Sequence, residues 1–225
     1  MHGLKGGARP QMNARQQMDG YRLLRSLKDE SAALVIMDPQ YRAVLDKMKL
    51  GNEGTRQKRR AELPQMSDHD ITLFVEQIQR VLQPSGHLLM WVDKFIIASA
   101  HHLRYFNFTT WLRTVDLLAW DTQRFGMGKR LRAATEYLMI IQKEPTRAKD
   151  VWHNNSIRDF CSEKADRELH QHAKPMELTK TLILATTRRG DLVVDPCAGS
   201  YSTLRACRET GRNFMGCDLI GGSDE

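Results

Sequence analysis

The sequence predicts an α/β chain folded as an open, doubly wound, mostly parallel sheet. Three observations carry this. Short apolar runs alternate with amphipathic stretches of about 10–15 residues, the pattern of parallel strands joined by crossover helices. The run Ala32–Met37 is apolar at every position, which suits a strand covered on both faces. Two predicted strands run into Asp-Pro, at Asp38 and at Asp195. That sets carboxylates at the carboxyl ends of strands, where open α/β sheets bind their ligands.

Taken in order, residues 1–17 are rich in glycine and arginine and read as a flexible basic arm. Residues 19–27 can form a short helix with Leu23, Leu24 and Leu27 on one face. The central strand follows, and Pro39 ends its pairing because proline has no N–H to give the ladder. Residues 42–66 lack sustained periodicity and carry Gly51, Gly54 and the run from Arg56 to Arg60; they read as a mobile basic loop. Ser67 or Asp68 can cap the next helix, whose Ile71, Phe74, Val75, Ile78, Val81 and Leu82 share one stripe, with Pro84 and Gly86 expected to stop it. Residues 87–92 read as a second buried strand, 95–104 as a helix, and 114–120 and 136–142 as strands. Residues 144–169 are polar and irregular. Pro175 suits the first turn of a helix running to about Thr187, closed by Gly190. A strand at 191–195, a tight turn at 196–201, a helix at 202–210 ended by Gly211 and a strand at 213–217 complete the chain. There is no internal repeat, and 225 residues are expected to form one domain.

No apolar run approaches the roughly 20 residues of a membrane span. The first thirty residues lack the apolar stretch of a signal peptide, so a cytoplasmic protein with no membrane partner is expected. The four cysteines show no CxxC spacing, and the eight histidines form no HExxH; reduced thiols and no metal are expected. The net charge of +7 favours a polyanionic partner. Residues 42–67 carry seven Lys/Arg against three Asp/Glu, and residues 121–149 repeat that ratio. Arg42, Lys58, Arg59 and Arg60 in the first stretch, and Lys129, Arg130 and Arg132 in the second, are candidates for phosphate contact.

The turn Asp195-Pro196-Cys197-Ala198-Gly199-Ser200 joins a strand to a helix. Small residues there let a ligand approach the backbone, and the helix start offers unpaired N–H groups. Asp218 ends the next strand 23 residues on, where an acidic residue of a dinucleotide fold takes ribose hydroxyls. The loop is not G-x-G-x-x-G, which disfavours NAD.

Asp38-Pro39-Gln40-Tyr41 resembles the Asp-Pro-Pro-Tyr motif of the amino DNA methyltransferases, which methylate the exocyclic nitrogen of adenine or cytosine. The turn at Asp195 resembles their S-adenosylmethionine loop, with Cys197 for the usual Phe and Tyr201 for the last Gly. Residues His170 to Pro175 resemble their His-x-x-x-Lys-Pro segment, and Trp120-Asp121, Gly126–Gly128 and Thr135-Glu136 another shared stretch. Catalytic corner first and cofactor loop last is the permuted order of the β class, and the resemblance spans residues 18–220.

The resemblance implies a Rossmann-like class I methyltransferase fold with one antiparallel strand. It implies S-adenosyl-L-methionine as cofactor, held by Asp38, Asp195, Cys197, Ala198, Gly199, Ser200, Asp218, His170 and Lys174, with Lys174 on the methionine carboxylate. It implies catalysis by Asp38, Pro39, Gln40 and Tyr41 on a base flipped from DNA or already single-stranded. Asp at the first motif position favours adenine N6. Cytosine N4, RNA adenine, and a catalytically weak nucleic-acid-binding subunit are the alternatives. Only residues 144–169 are available for target recognition, so a short or relaxed site, or help from a homodimer mate or separate specificity subunit, is expected.

Overall fold

The computed structural model describes residues 10–41, 65–100, 102–106, 111–125, 130–147, 152–154, 156–165 and 173–219. Strands β1 (Ala32–Met37), β2 (Leu82–Val92), β3 (Leu112–Asp121), β4 (Thr135–Lys143), β5 (Phe160–Ser162), β6 (Leu192–Asp195) and β7 (Asn213–Gly216) form one sheet in the order β5-β3-β4-β2-β1-β6-β7. β4 is antiparallel to both its neighbours, β2 and β3, and every other pairing is parallel. The sheet is therefore mostly parallel with one reversed strand, as expected.

Helices α1 (Gly20–Ser26), α2 (Asp68–Val81), α3 (Lys94–Ala98) and α4 (Leu103–Phe106) belong to one half of the chain, α5 (Met176–Thr186) and α6 (Ser202–Thr210) to the other. They cover opposite faces. Val35 and Met37 of β1 pack with Leu23, Leu24, Phe74 and Ile78, whereas Leu34 and Ile36 pack with Leu182, Ile183 and Leu204. Side chains alternate along a strand, so only a strand covered on both sides needs to be apolar at every position, and all six residues of β1 are buried. No described helix is long and apolar enough to cross a membrane.

The element boundaries follow local chemistry, with some differences from the sequence reading. Ser67 caps α2 in a reciprocal box with Asp70. Pro84 does not stop α2; the helix ends at Val81 and β2 begins at once. Pro84 and Ser85, the latter at φ 64, lie instead in an irregularity where the register jumps from Ala32↔Leu82 to Leu34↔His87. A proline inside a strand is confined to such sites because it cannot donate to the ladder. The single helix expected at 95–104 is two, separated at Ala100, which is left-handed at φ 53. Gly190 does not cap α5, which ends at Thr186; it turns the chain into β6 at φ 87. β5 lies inside the stretch expected to be irregular.

Residues 13–18 run beside β7, which ties down the end of the stretch 1–17 read as a flexible arm. Asn13 N donates to Phe214 O at 2.8 Å, Met18 N to Asp218 O at 3.1 Å, and Asp218 N to Gln16 O at 3.2 Å. Gln17 and Asp218 form a parallel bridge. The edge of the sheet is thereby covered, a common means of keeping an exposed strand from pairing elsewhere. Residues 1–9 and nearly all of the loop at 42–66 lie outside the described residues.

Candidate active site

Asp38 follows the last residue of β1. Its carboxylate Oδ2 lies 3.0 Å from the Lys174 ammonium, which also lies 2.8 Å from Glu136 Oε2. The same ammonium stands 4.5 Å from the centroid of the Trp91 ring, in cation–π range. Each group arrives for a separate reason. Because β4 runs backwards, its first residues lie at the edge where the parallel strands end, with Glu136 opposite Trp120 and Tyr137 opposite Val92. Trp91 comes from the end of β2, beside β1. Lys174 precedes Pro175, which opens α5 without a side-chain cap of its own. Glu163 supplies the cap from a distance, accepting from Glu177 N and Leu178 N at 2.9 Å each. A carboxylate on a helix N-terminus is favourable, and here it also fixes the segment that carries Lys174.

Burial pushes the Asp38 carboxyl above its ordinary range; Lys174 opposes the shift and Glu136 adds to it. Burial also acts against the Lys174 ammonium, but the two carboxylates together outweigh it and its pKa is raised. The cluster therefore holds Lys174 charged.

The rest of the corner is braced. Pro39 is buried. Gln40 O accepts from Met66 N at 2.8 Å. Tyr41 donates its hydroxyl to Trp91 O at 2.8 Å, and its half-buried ring stacks on Tyr105 at 6.3 Å between centroids. Burial, then Tyr105 and Asp38, push the Tyr41 phenol well above its usual value, so it stays a donor.

Asp195 ends β6, which pairs with β1 at Leu34↔Val193 and Val35↔Val194. The two acidic strand ends are thus neighbours, and Asp38 adds repulsion to Asp195. Asp195 is buried; Oδ2 accepts from Thr203 Oγ1 at 2.7 Å and Oδ1 from Cys197 N at 3.1 Å. Burial still prevails and lifts its carboxyl to about 7, against the pull of these two hydrogen bonds and with Asp38 and Asp218 adding to the rise. Ala198 N bonds to Cys217 O at 3.0 Å, holding the turn on β7. Burial pushes the Cys197 thiol well up, so it is no nucleophile at neutral pH. Gly199 sits at φ 47, and a Cβ there would meet nothing nearer than Cys197 O at 3.9 Å. The backbone at Gly199 therefore borders open space, as close approach of a ligand requires.

Tyr201 does not fill that space. It is left-handed at φ 58 and buried against Phe214, and its hydroxyl donates to Gln16 O at 2.8 Å while accepting from Gln16 N at 3.1 Å. The bulk at this position braces the segment along β7. Asp218 follows β7, close enough to Asp195 and Cys197 to act on both.

The structure thus brings Asp38, Pro39, Gln40, Tyr41, Lys174, Asp195, Cys197, Ala198, Gly199, Ser200 and Asp218 to one edge of the sheet. Arg130 and Arg132 are exposed just before β4, which begins at the same edge. Arg42, Lys58, Arg59, Arg60, Lys129 and His170 lie outside the described residues. Trp120 is fully buried, with Nε1 donating to Glu163 O at 2.8 Å, which makes it a packing residue. Sequence reasoning gave no role to Glu136, Trp91 or Thr203. The signal for Thr203 was present, since the first turn of α6 faces the acidic strand end that opens it. Nothing local marks Glu136 or Trp91 as partners of Lys174.

A family profile described as DNA methylase matches residues 142–221. The Type II methyltransferase M.HhaII of Haemophilus parahaemolyticus is 48% identical over 215 residues, covering 95% of this chain and 94% of that protein. Among solved structures, the PvuII DNA methyltransferase, cytosine-N4-specific, is similar with a TM-score of 0.65 at 17% identity, over 92% of this chain and 81% of that one. The M1.HpyAVI–SAM complex gives a TM-score of 0.63 at 17% identity, over 91% of both chains. At such identities these two structures speak for the fold, and they bear out the class I architecture.

Proposed function

The chain belongs to the family of DNA methylases that act on exocyclic amino groups, and on that premise we propose that it methylates the N6 of adenine in DNA, with Asp38 and Pro39 as the groups that receive the amine. S-adenosyl-L-methionine is the cofactor. The residues present fit it: open space above Gly199, a turn of small residues at a helix start, and acidic groups at three neighbouring strand ends to receive a cationic ligand with ribose hydroxyls. Asp195, Cys197, Ala198, Gly199, Ser200 and Asp218 would hold it, with Asp38 and Lys174 alongside. When bound, it would supply a methyl on a cationic sulfur, and that sulfur would leave with the C–S electron pair as the amine nitrogen bonds to the carbon.

The observation that carries transfer to an exocyclic amine is the adjacency of Asp38 and Asp195 on paired parallel strands, and Asp at the first position of the corner is what favours adenine over cytosine. An exocyclic amine is a weak nucleophile because its lone pair is delocalised into the ring. The Asp38 carboxylate can accept one amine hydrogen and the Pro39 carbonyl the other. That draws the nitrogen toward tetrahedral geometry and frees its lone pair, while the fixed orientation supplies much of the rate. Asp38 then takes the proton that the nitrogen sheds. Tyr41, pinned through Trp91 and Tyr105, offers a ring for the extruded base, worth about 1–3 kcal/mol per stacked base. Gln40 stands where the family has a second proline, and its backbone is tied to Met66 instead. Arg130, Arg132 and the basic loop supply phosphate contacts, which makes binding steeply salt-dependent. Residues 144–169 form the short target-recognition insert, so sequence readout is relaxed or shared with a second subunit.

Transfer of labelled methyl groups to DNA and to RNA, followed by nucleoside analysis, tests the reading. Methylated adenine in DNA supports it. Methylated cytosine, or product in RNA alone, replaces it with the corresponding activity. No transfer and no cofactor binding would leave a nucleic-acid-binding subunit. Asp38→Ala is expected to lower the single-turnover rate by about 10²–10⁴-fold with cofactor affinity nearly intact; unchanged turnover would remove Asp38 from the chemistry.

A further inference from the structure

Lys174 is expected to meet the methionine carboxylate, yet in the structure its ammonium is engaged by the protein's own groups. Its side chain is only 16% exposed, and it makes three different contacts: Asp38 Oδ2 at 3.0 Å, Glu136 Oε2 at 2.8 Å and the Trp91 ring face at 4.5 Å. An ammonium has three protons, and a long flexible stem lets it wander unless several partners fix it. Asp38 alone would fix it poorly, since one contact leaves the stem free to turn toward water. Glu136 supplies the second charged contact, and its place at the start of reversed strand β4 puts it on the far side of Lys174 from the paired strands β1 and β6. The ammonium is thereby held on Oδ2 of Asp38, and among the described residues no side chain takes Oδ1, which leaves it to the substrate amine.

We propose that Glu136 is a positioning residue of the methyl transfer: it anchors the Lys174 ammonium on one oxygen of Asp38, so that the other oxygen meets the amine in a fixed orientation. This rests on Asp38 being the group that receives the amine.

Among the described residues, the charged and titratable groups facing Asp38 are Lys174, Glu136, Asp195, Cys197 and Tyr41. Lys174 lowers the Asp38 pKa more than Glu136 raises it. Two Glu136 variants therefore move the acid limb of the rate profile in opposite directions if the anchor is real. Glu136→Gln keeps an acceptor for Lys174 and removes a repelling charge, so the limb shifts to lower pH with the plateau rate within a few-fold. Glu136→Ala releases Lys174, so burial acts on Asp38 with less opposition. The limb then shifts to higher pH and the plateau falls by about 10–100-fold, the scale of a misplaced catalytic group.

The experiment is single-turnover transfer from labelled S-adenosyl-L-methionine to DNA across pH, with cofactor affinity measured by calorimetry on the same preparations. Both limbs moving down together, or neither moving, overturns the proposal. Should the Ala variant fail to fold, the Gln variant decides: a limb that stays put or moves up overturns it. Asp38→Asn separates the two levels. If that variant keeps full turnover, this inference falls with the reading beneath it. If it is inactive while the Glu136 variants match the wild type, only this inference falls.

Discussion

Asp38-Pro39 and Asp195-Pro196 are the same dipeptide on neighbouring parallel strands, yet they are built differently. Asp195 is buried and satisfied from within its own turn, by Cys197 N two residues on and Thr203 eight residues on. Asp38 is half-exposed and is satisfied by Lys174, whose other anchor is Glu136 on a different strand. A self-contained turn makes a rigid cradle. A carboxylate held by an ion pair from elsewhere stays accessible and can exchange its partner. The first design suits gripping a cofactor, the second suits receiving a substrate group and its proton.

If that division holds, changes on the β6–β7 side move cofactor affinity, and changes at the β1 corner move the rate at saturating cofactor. The largest effect expected on the binding side is from Asp218→Ala. Loss of hydrogen bonds to a charged acceptor costs about 1.5–3 kcal/mol, roughly 10–150-fold in affinity, with the saturated single-turnover rate nearly unchanged. Calorimetry that finds equal affinity would refute the ribose assignment.

Next comes Gly20→Ala, which acts on the cradle from behind. A Cβ at Gly20 would lie 2.2 Å from Pro196 O, backbone that cannot yield easily. Overpacking of this kind costs about 1–3 kcal/mol, and a thermal melt should show it together with weaker cofactor binding. A variant as stable as the wild type would mean that α1 can slide off the turn.

The smallest effect is a proton count. With its carboxyl lifted to about 7, Asp195 keeps a proton well above the ordinary carboxylate range. Arrival of a cationic ligand lowers that pKa, so binding should release a fraction of a proton near neutral pH, read from calorimetry in buffers of different ionisation enthalpy. Thr203→Val removes a hydrogen bond that favours the charged form and should move the release to higher pH; Asp195→Asn should abolish it. No release from the wild type would place the ligand charge away from Asp195. The same raised pKa sets a stability trend. The contribution of Asp195 is complete below its unfolded value near 3.9, and it is lost as pH rises through about 7. The empty protein should therefore melt lower at pH 8 than at pH 5 on this group's account, and Asp195→Asn should flatten that slope.

What was legible in the sequence follows the same local-versus-distant line. The apolar run of β1, the helix start at Ser67 or Asp68, the Gly211 stop of α6 and the turn at Asp195 are each set by residues a few positions apart. Both acidic strand ends could be found for that reason. Pro84 misled because proline reads equally as a helix stop and as a bulge in a strand, and the pairing with β1 decides between them. Tyr201 stands where the motif has its last glycine, and nothing in the motif says where its bulk goes; a left-handed backbone turns its ring into the core, where a bond to Gln16 holds the segment along β7.

The sequence by itself determined the α/β pattern, the two Asp-Pro strand ends and the small-residue turn, because strand and helix periods and turn preferences are energies of neighbouring residues. Only the tertiary structure decided that Lys174 meets Asp38, Glu136 and Trp91. Those contacts depend on β4 running against its neighbours and on Glu163 capping α5, and a long-range ion pair leaves no periodic trace in the chain that makes it.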